Sequence, residues 1–136
     1  MNRFVFLVLV TCSCFSTQSC QRKAIHKKYP DFIGHWHHQK TNGEIWYLDM
    51  GDKSWGTISV YNADGSYSTN NKYGENPRRW RYNPKRQELT NGIISERFKV
   101  NQLPDIAETI IISGFDTIHA GESYFIMNND YYVKSN

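Results

Sequence analysis

The densest coordination chemistry in the chain is the run Asp31-Phe32-Ile33-Gly34-His35-Trp36-His37-His38. Imidazole suits zinc and copper, and on a strand His35 and His37 share one face, opposite Gly34, Trp36 and His38. Two ligands do not complete a shell. His119 is the only distant partner, no Cys lies beyond Cys20, and carboxylates would have to supply the rest. Exposed strand histidines are the other reading, and no metal or other cofactor is expected. His26 lies in a basic stretch without a pattern of its own.

Arg78, Arg79, Arg81, Lys85 and Arg86 form a second group, interleaved with Trp80 and Tyr82. Rings and guanidinium groups so interleaved could stack on nucleic-acid bases. Strand alternation instead puts Trp80 and Tyr82 in a core and Arg79 and Arg81 in water. That leaves a solvated basic face, or a contact for an anionic ligand, a lipid head group or an acidic protein. A third feature is the number of rings: Trp46, Trp55, Tyr61, Tyr67, Trp80, Tyr82, Tyr124, Phe125, Tyr131 and Tyr132. Most serve core packing equally well, but Trp46, Trp55, Tyr67, Trp80, Tyr82 and Tyr124 are candidates to line an aromatic mouth for an apolar ligand.

Catalytic patterns are missing. There is no Gly-x-Ser-x-Gly elbow, no Gly-rich phosphate loop and no Cys after Cys20. Ser95-Glu96 and Asp116-Thr117-Ile118-His119 offer acid, base and hydroxyl types, but no assembled nucleophile–base pair. The chain is not expected to be an enzyme.

The elements that position these residues are strands. Turn signals recur at Asn42-Gly43, Gly51-Asp52, Asp64-Gly65, Asn83-Pro84, Asn91-Gly92, Ser113-Gly114, Ala120-Gly121 and Asn128-Asn129. Between them lie short runs rich in Tyr, Trp, Ile and Val. Trp46, Leu48 and Met50 alternate with Ile45, Tyr47 and Asp49. Ile58 and Val60 alternate with Thr57 and Ser59, and Phe98 and Val100 with Arg97 and Lys99. Thr109 to Ile112 reads as a covered strand, residues 70–77 as a surface loop, and Leu103 to Ala107 as a short helical turn. The pattern predicts an all-β domain, a small antiparallel meander over residues 31–136. Trp36, beside a residue without a side chain, would plug one end of it.

The chain of 136 residues opens with a different signature. Met1-Asn2-Arg3 is basic, Phe4 to Val10 is apolar, and Thr11 to Ser19 is mostly small and polar. That is the layout of a secretory signal, with an apolar run too short to span a bilayer. Residues 1–19 resemble a bacterial lipoprotein signal, which is cut before a Cys that takes the lipid. Ser19 fits that box, whereas Thr17 stands where an aliphatic residue is usual. Cys20 is the preferred site, Cys12 and Cys14 compete, and an ordinary cleaved signal is the alternative. Residues 20–30 then read as a basic tether, whose Arg22, Lys23, Lys27 and Lys28 could touch anionic head groups. The net charge of +3 falls to +2 without Arg3, too mild a bias to argue for nucleic acid.

With Gly34-x-Trp36 on a first strand, an Asp64-Gly65 hairpin followed by Tyr67, then a Trp80 strand and several hairpins, the chain resembles the lipocalin-like barrels. The likeness spans about residues 31–134. It implies a barrel, reduced or open in a chain this short. The chain departs from that family in having no Cys left for a disulfide and no Arg near the C-terminus to match the one that caps the Trp there. The function to expect is a lipid-anchored exported protein, facing the periplasm from the outer membrane, that binds a small apolar or amphipathic ligand; a secreted or soluble periplasmic protein is the alternative location. The alternative is an envelope interaction protein, such as an immunity or docking module, without a ligand cavity.

Overall fold

The computed structural model describes residues 23–135 apart from 70–71, 74–75, 93–95 and 114–115, so the signal segment and Cys20 lie outside it. Eleven runs pair into an antiparallel meander and its flanking hairpin, because the turn residues fall where the alternating runs end. They are β2 (Gly34–Gln39), β3 (Ile45–Met50), β4 (Trp55–Gly56), β5 (Ile58–Tyr61), β6 (Arg78–Asn83), β7 (Glu88–Asn91), β8 (Phe98–Ile106), β9 (Ile111–Ser113), β10 (Asp116–Ile118), β11 (Ser123–Met127) and β12 (Asp130–Lys134). Before them come β1 (Lys23–Ala24), a single helix α1 (Ile25–Lys28) and a 3-10 turn, Pro30–Phe32. Among the described residues no helix is long and apolar enough to cross a membrane.

The sheet runs β1-β6-β7-β8-β11-β12-β2-β3-β5, so the last strand of the meander pairs with its first. It does not close into a barrel. Between β5 and β6 the seam is bridged by β4, which pairs Trp55 with Arg79 and Gly56 with Arg78. Two side chains fasten this seam. Trp80 donates from Nε1 to the Asp49 carbonyl at 2.8 Å, and the buried Asn91 amide donates to the carbonyls of Gly56 and Arg78 at 3.2 and 3.3 Å. A Cβ on Gly56 would run into the Asp49 carbonyl oxygen, so only glycine lets these backbones approach.

The inward faces are those the alternation predicts. Trp36, Leu48, Met50, Ile58, Trp80, Leu89, Phe125 and Met127 are all at most 1% exposed and join one core. Trp36 lies at its end: Nε1 donates to the Phe32 carbonyl at 2.7 Å, and Phe125 meets the ring edge-on at 4.8 Å. Lys134 sets its ammonium 5.3 Å from the indole centroid. Gly34, at φ 144°, leaves room for that lysine, whose chain a Cβ would strike. Asn128 and Asn129, at φ 50° and 64°, make the last hairpin, a tight turn that these side chains tolerate.

Four expectations change. Of the tether, residues 23–30 are packed into the fold: β1 adds to the edge of β6, Ile25 is fully buried, and Tyr29 meets Tyr82 edge-on at 4.8 Å. One Ile and one Tyr among basic residues suffice to anchor a short segment where a sheet edge is open to pair with. Leu103 to Ile106 belongs to β8 and not to a helical turn. Beyond Lys99, β8 pairs with β11 but no longer with β7, so Pro104 can sit where an N–H is not needed. Thr109 and Ile110 are exposed, and among the described strands β9 pairs with β10 and not with the main sheet. Arg79 is only half in water, because its guanidinium lies 5.0 Å from the Trp55 ring.

Candidate functional site

The six rings proposed for an aromatic mouth do not converge. Trp80 and Tyr82 are buried in the main core, and Tyr124 belongs to a second cluster with Ala107 and Ile118. Trp46 is half-buried, its Nε1 donating to Glu44 at 2.7 Å, with Lys40 over its face and Tyr73 at its edge. Trp55 stands 46% exposed beneath Arg79, and Tyr67 is exposed on the far side of β5.

What the fold does bring together is a row of rings on the outside of the sheet. Register places His37 opposite Tyr47, Ile45 opposite Tyr61, and Tyr61 opposite Tyr67. Tyr47 meets Tyr61 at 5.5 Å and 86°, and Tyr61 meets Tyr67 at 5.5 Å and 87°. His37 leans on Tyr47 at 6.5 Å, held by a 2.8 Å contact of Nδ1 with the Ser135 hydroxyl. Edge-to-face pairs of this kind hold rings in fixed orientations. Ile45, Tyr47, Ser59, Tyr61 and Gly65 line a groove of about 430 Å³ along the row. The alternation of β3 already assigned Tyr47 to the face opposite Trp46. A large ring on the polar side of a strand was the available signal.

The same outer face is covered over β11 and β12. There Ile118 of β10 is fully buried, and Ile126, Tyr131 and Val133 pack against its cluster. On the β3–β5 side Tyr47 and Tyr67 stay 43% and 40% exposed.

The histidines do not converge on one another. His35 pairs with Asp49 at 3.2 Å and His37 with Ser135, while His38 turns inward to the Tyr131 carbonyl and Asp130. Among the described residues no group of three or more His, Cys, Asp or Glu could hold a metal ion. A Ser–His contact that sequence spacing could not reveal joins Ser54 Oγ to His26 Nδ1 at 2.6 Å. Ser54 is fully buried and its oxygen also accepts the His26 backbone N–H at 2.8 Å. The contact clasps α1 to the β4 corner.

A second cleft, beside α1 and β6, gathers Lys23, His26, Lys27, Lys28 and Arg79 around about 490 Å³. Lys23 beside Lys28, by hydrogen bonding first and charge repulsion second, holds the Lys28 amine below its ordinary value. Arg81 is exposed, and Lys85 and Arg86 occupy the β6–β7 turn, so the basic residues of that strand do not form one patch.

No family model matches the chain, and no curated protein or solved structure does either.

Proposed function

We propose that the chain is a lipid-anchored, lipocalin-like module of the cell envelope, periplasm-facing at the outer membrane, that docks a protein partner on its outer aromatic row. The observation that carries this reading is a contrast. The inward side chains fill the core, while Tyr47, Tyr61 and Tyr67 stand in fixed orientations on a face that is covered elsewhere by the chain's own β9–β10 hairpin. Tyr is among the residues over-represented in protein interfaces and their hot spots, because it offers a large rigid area at small entropic cost. The lipocalin-like part of the reading is supported by the pairing of β12 with β2 and by Lys134 over Trp36, a cation where that family carries its Arg. The anchor reading rests on the residues before Cys20.

A second reading keeps the small amphipathic ligand and moves it outside. The groove's volume lies in the range of small-molecule sites, which runs from about 300 to 1,000 Å³. One experiment separates the two. A photo-cross-linking residue at Ser59 in intact cells should give a discrete protein adduct that the same probe at Lys85 does not give. Tyr61→Ser in the Ser59 probe protein should cut that adduct about tenfold, the loss expected of an interface hot spot. Equal capture from Ser59 and Lys85 would sink both readings, and an adduct of lipid-like mass selects the second. Fatty-acid labelling should vanish in Cys20→Ser. Label that survives there but is lost in Cys14→Ser moves the anchor.

A further inference from the structure

We propose that the cleft between α1 and β6 is a binding site for a phosphate group, as a free anion or as the phosphate of a lipid head group. Its walls are Lys23 and Ala24 of β1, His26, Lys27 and Lys28 of α1, and Arg79 of β6. These put five nitrogen bases in one concavity, and none of the described lining residues is a carboxylate. The acids that form ion pairs with Lys72 and Arg97, Glu96 and Glu88, lie elsewhere. The nearest acid in sequence, Asp31, faces an adjoining groove that Lys28 shares.

A solvated cationic face would leave each charge to water. This cleft does not, and Arg79 shows it. Its guanidinium carbon lies over the Trp55 ring, 5.0 Å from the centroid, while its buried Nε–H has no hydrogen-bond partner among the described residues. A buried donor left unmade is costly, so a native structure that keeps one calls for a reason. An oxyanion in the cleft supplies an acceptor for that donor and relieves the Lys23–Lys28 repulsion with the same charge. The Trp55 ring beside it restrains the guanidinium, and a restrained fork loses less freedom when it meets a tetrahedral anion. The segment carrying the lysines is fixed as well: β1 pairs Lys23 with Tyr82 and Ala24 with Arg81, and Ser54 clasps His26.

Position adds a source for the phosphate. Cys20 precedes Lys23 by three residues, a reach of about 11 Å at most. If the anchor proposed above is right, Lys23 at the cleft lies within about 11 Å of the lipidated residue, a distance close to one Debye length. This part rests on that reading, whereas the phosphate chemistry does not.

The test follows the Arg79 Nε–H resonance by NMR in full-length protein with isotope-labelled arginine, held in uncharged detergent micelles. Inorganic phosphate and a short-chain phosphatidylglycerol are titrated separately, and the parent should show a saturable shift with at least one of them. Lys27→Gln/Lys28→Gln, both exposed positions, should weaken that binding about tenfold or more, as the loss of charge-assisted contacts implies. Lys85→Gln/Arg86→Gln makes the same charge change away from the cleft and should stay within about twofold, since screening leaves distant charges little effect. Saturation by inorganic phosphate assigns a free-anion site, and saturation by the lipid alone assigns a head-group site. No saturable shift with either, or equal losses in both double variants, overturns the proposal. Repeating the titration on Cys20→Ser keeps the two failures apart: a wrong anchor leaves phosphate binding intact, and a wrong cleft removes it whether or not the lipid is present.

Discussion

Replacing Trp36 tests how the end of the sheet is held. The indole is fully buried, gives the Phe32 carbonyl its 2.7 Å hydrogen bond, and carries Phe125 on one side and Lys134 on another. Trp36→Ala removes the ring and leaves a void, a change that costs about 3–5 kcal/mol in well-packed cores. Roughly 1–3 kcal/mol of that reflects the Phe32 carbonyl left without its donor. Whole domains have about 5–15 kcal/mol to lose, so Trp36→Ala can unfold the protein outright. Trp36→Phe guards against that outcome, because it keeps most of the packing and drops the hydrogen bond, for about 1–3 kcal/mol. Urea unfolding of the detergent-solubilised chain, followed by circular dichroism, reads both. With a urea slope of about 1–2 kcal/mol/M, Trp36→Ala should lower the midpoint by about 2 M or more with the slope unchanged. A double-mutant cycle with Lys134→Ala should show a coupling of about 0.5–2 kcal/mol between ammonium and ring. Trp36→Ala with the parental midpoint, or a cycle with no coupling, would refute this account of the end cap.

Gly56→Ala should destabilise more than an ordinary surface substitution, by about 1–3 kcal/mol, because the added methyl must push Asp49 and Trp80 apart at the seam. Accelerated amide exchange confined to β4 and β6 would mark it, and an unchanged exchange pattern would count against a tight seam. Ile25→Ala should cost about 2–5 kcal/mol and expose Lys23 and Lys27 to trypsin in the native protein. A variant as stable and as resistant as the parent would return residues 23–30 to a tether. Burial, with Asp130 and then Tyr73 adding to it, raises the Tyr132 phenol well above its ordinary 10.0. The folded state therefore favours the neutral phenol, and its contribution is complete below about pH 10 and lost as the pH climbs above it, where the unfolded chain ionises first. The urea midpoint of Tyr132→Phe should fall less steeply above about pH 10 than that of the parent, and parallel curves would contradict the assignment.

The strand content was legible because it is local. Alternation at Trp46-Leu48-Met50, Ile58-Val60, Trp80-Tyr82 and Phe98-Val100 names the inward face of each strand, and all of these residues are buried except Trp46, which is half-buried against the core. Turn dipeptides such as Asp64-Gly65 and Asn128-Asn129 end the strands for equally local reasons. The burial of Trp36 was legible as well, beside a neighbour without a side chain.

What the chain order could not carry was anything that depends on which distant strand lies alongside. Ile25 is one apolar residue in a basic stretch, and only the open edge of β6 makes it core. Arg79 faces water by alternation, yet Trp55, many residues earlier, comes over the seam and covers it. Periodicity says that Tyr47 and Tyr61 point outward, but not that the register of β3 and β5 sets them edge to face. A period fixes the direction of a side chain relative to its own strand, at no cost in long-range order. Which side chains meet is decided by pairing and by closing loops across the whole sheet, and that information exists only once the core has formed.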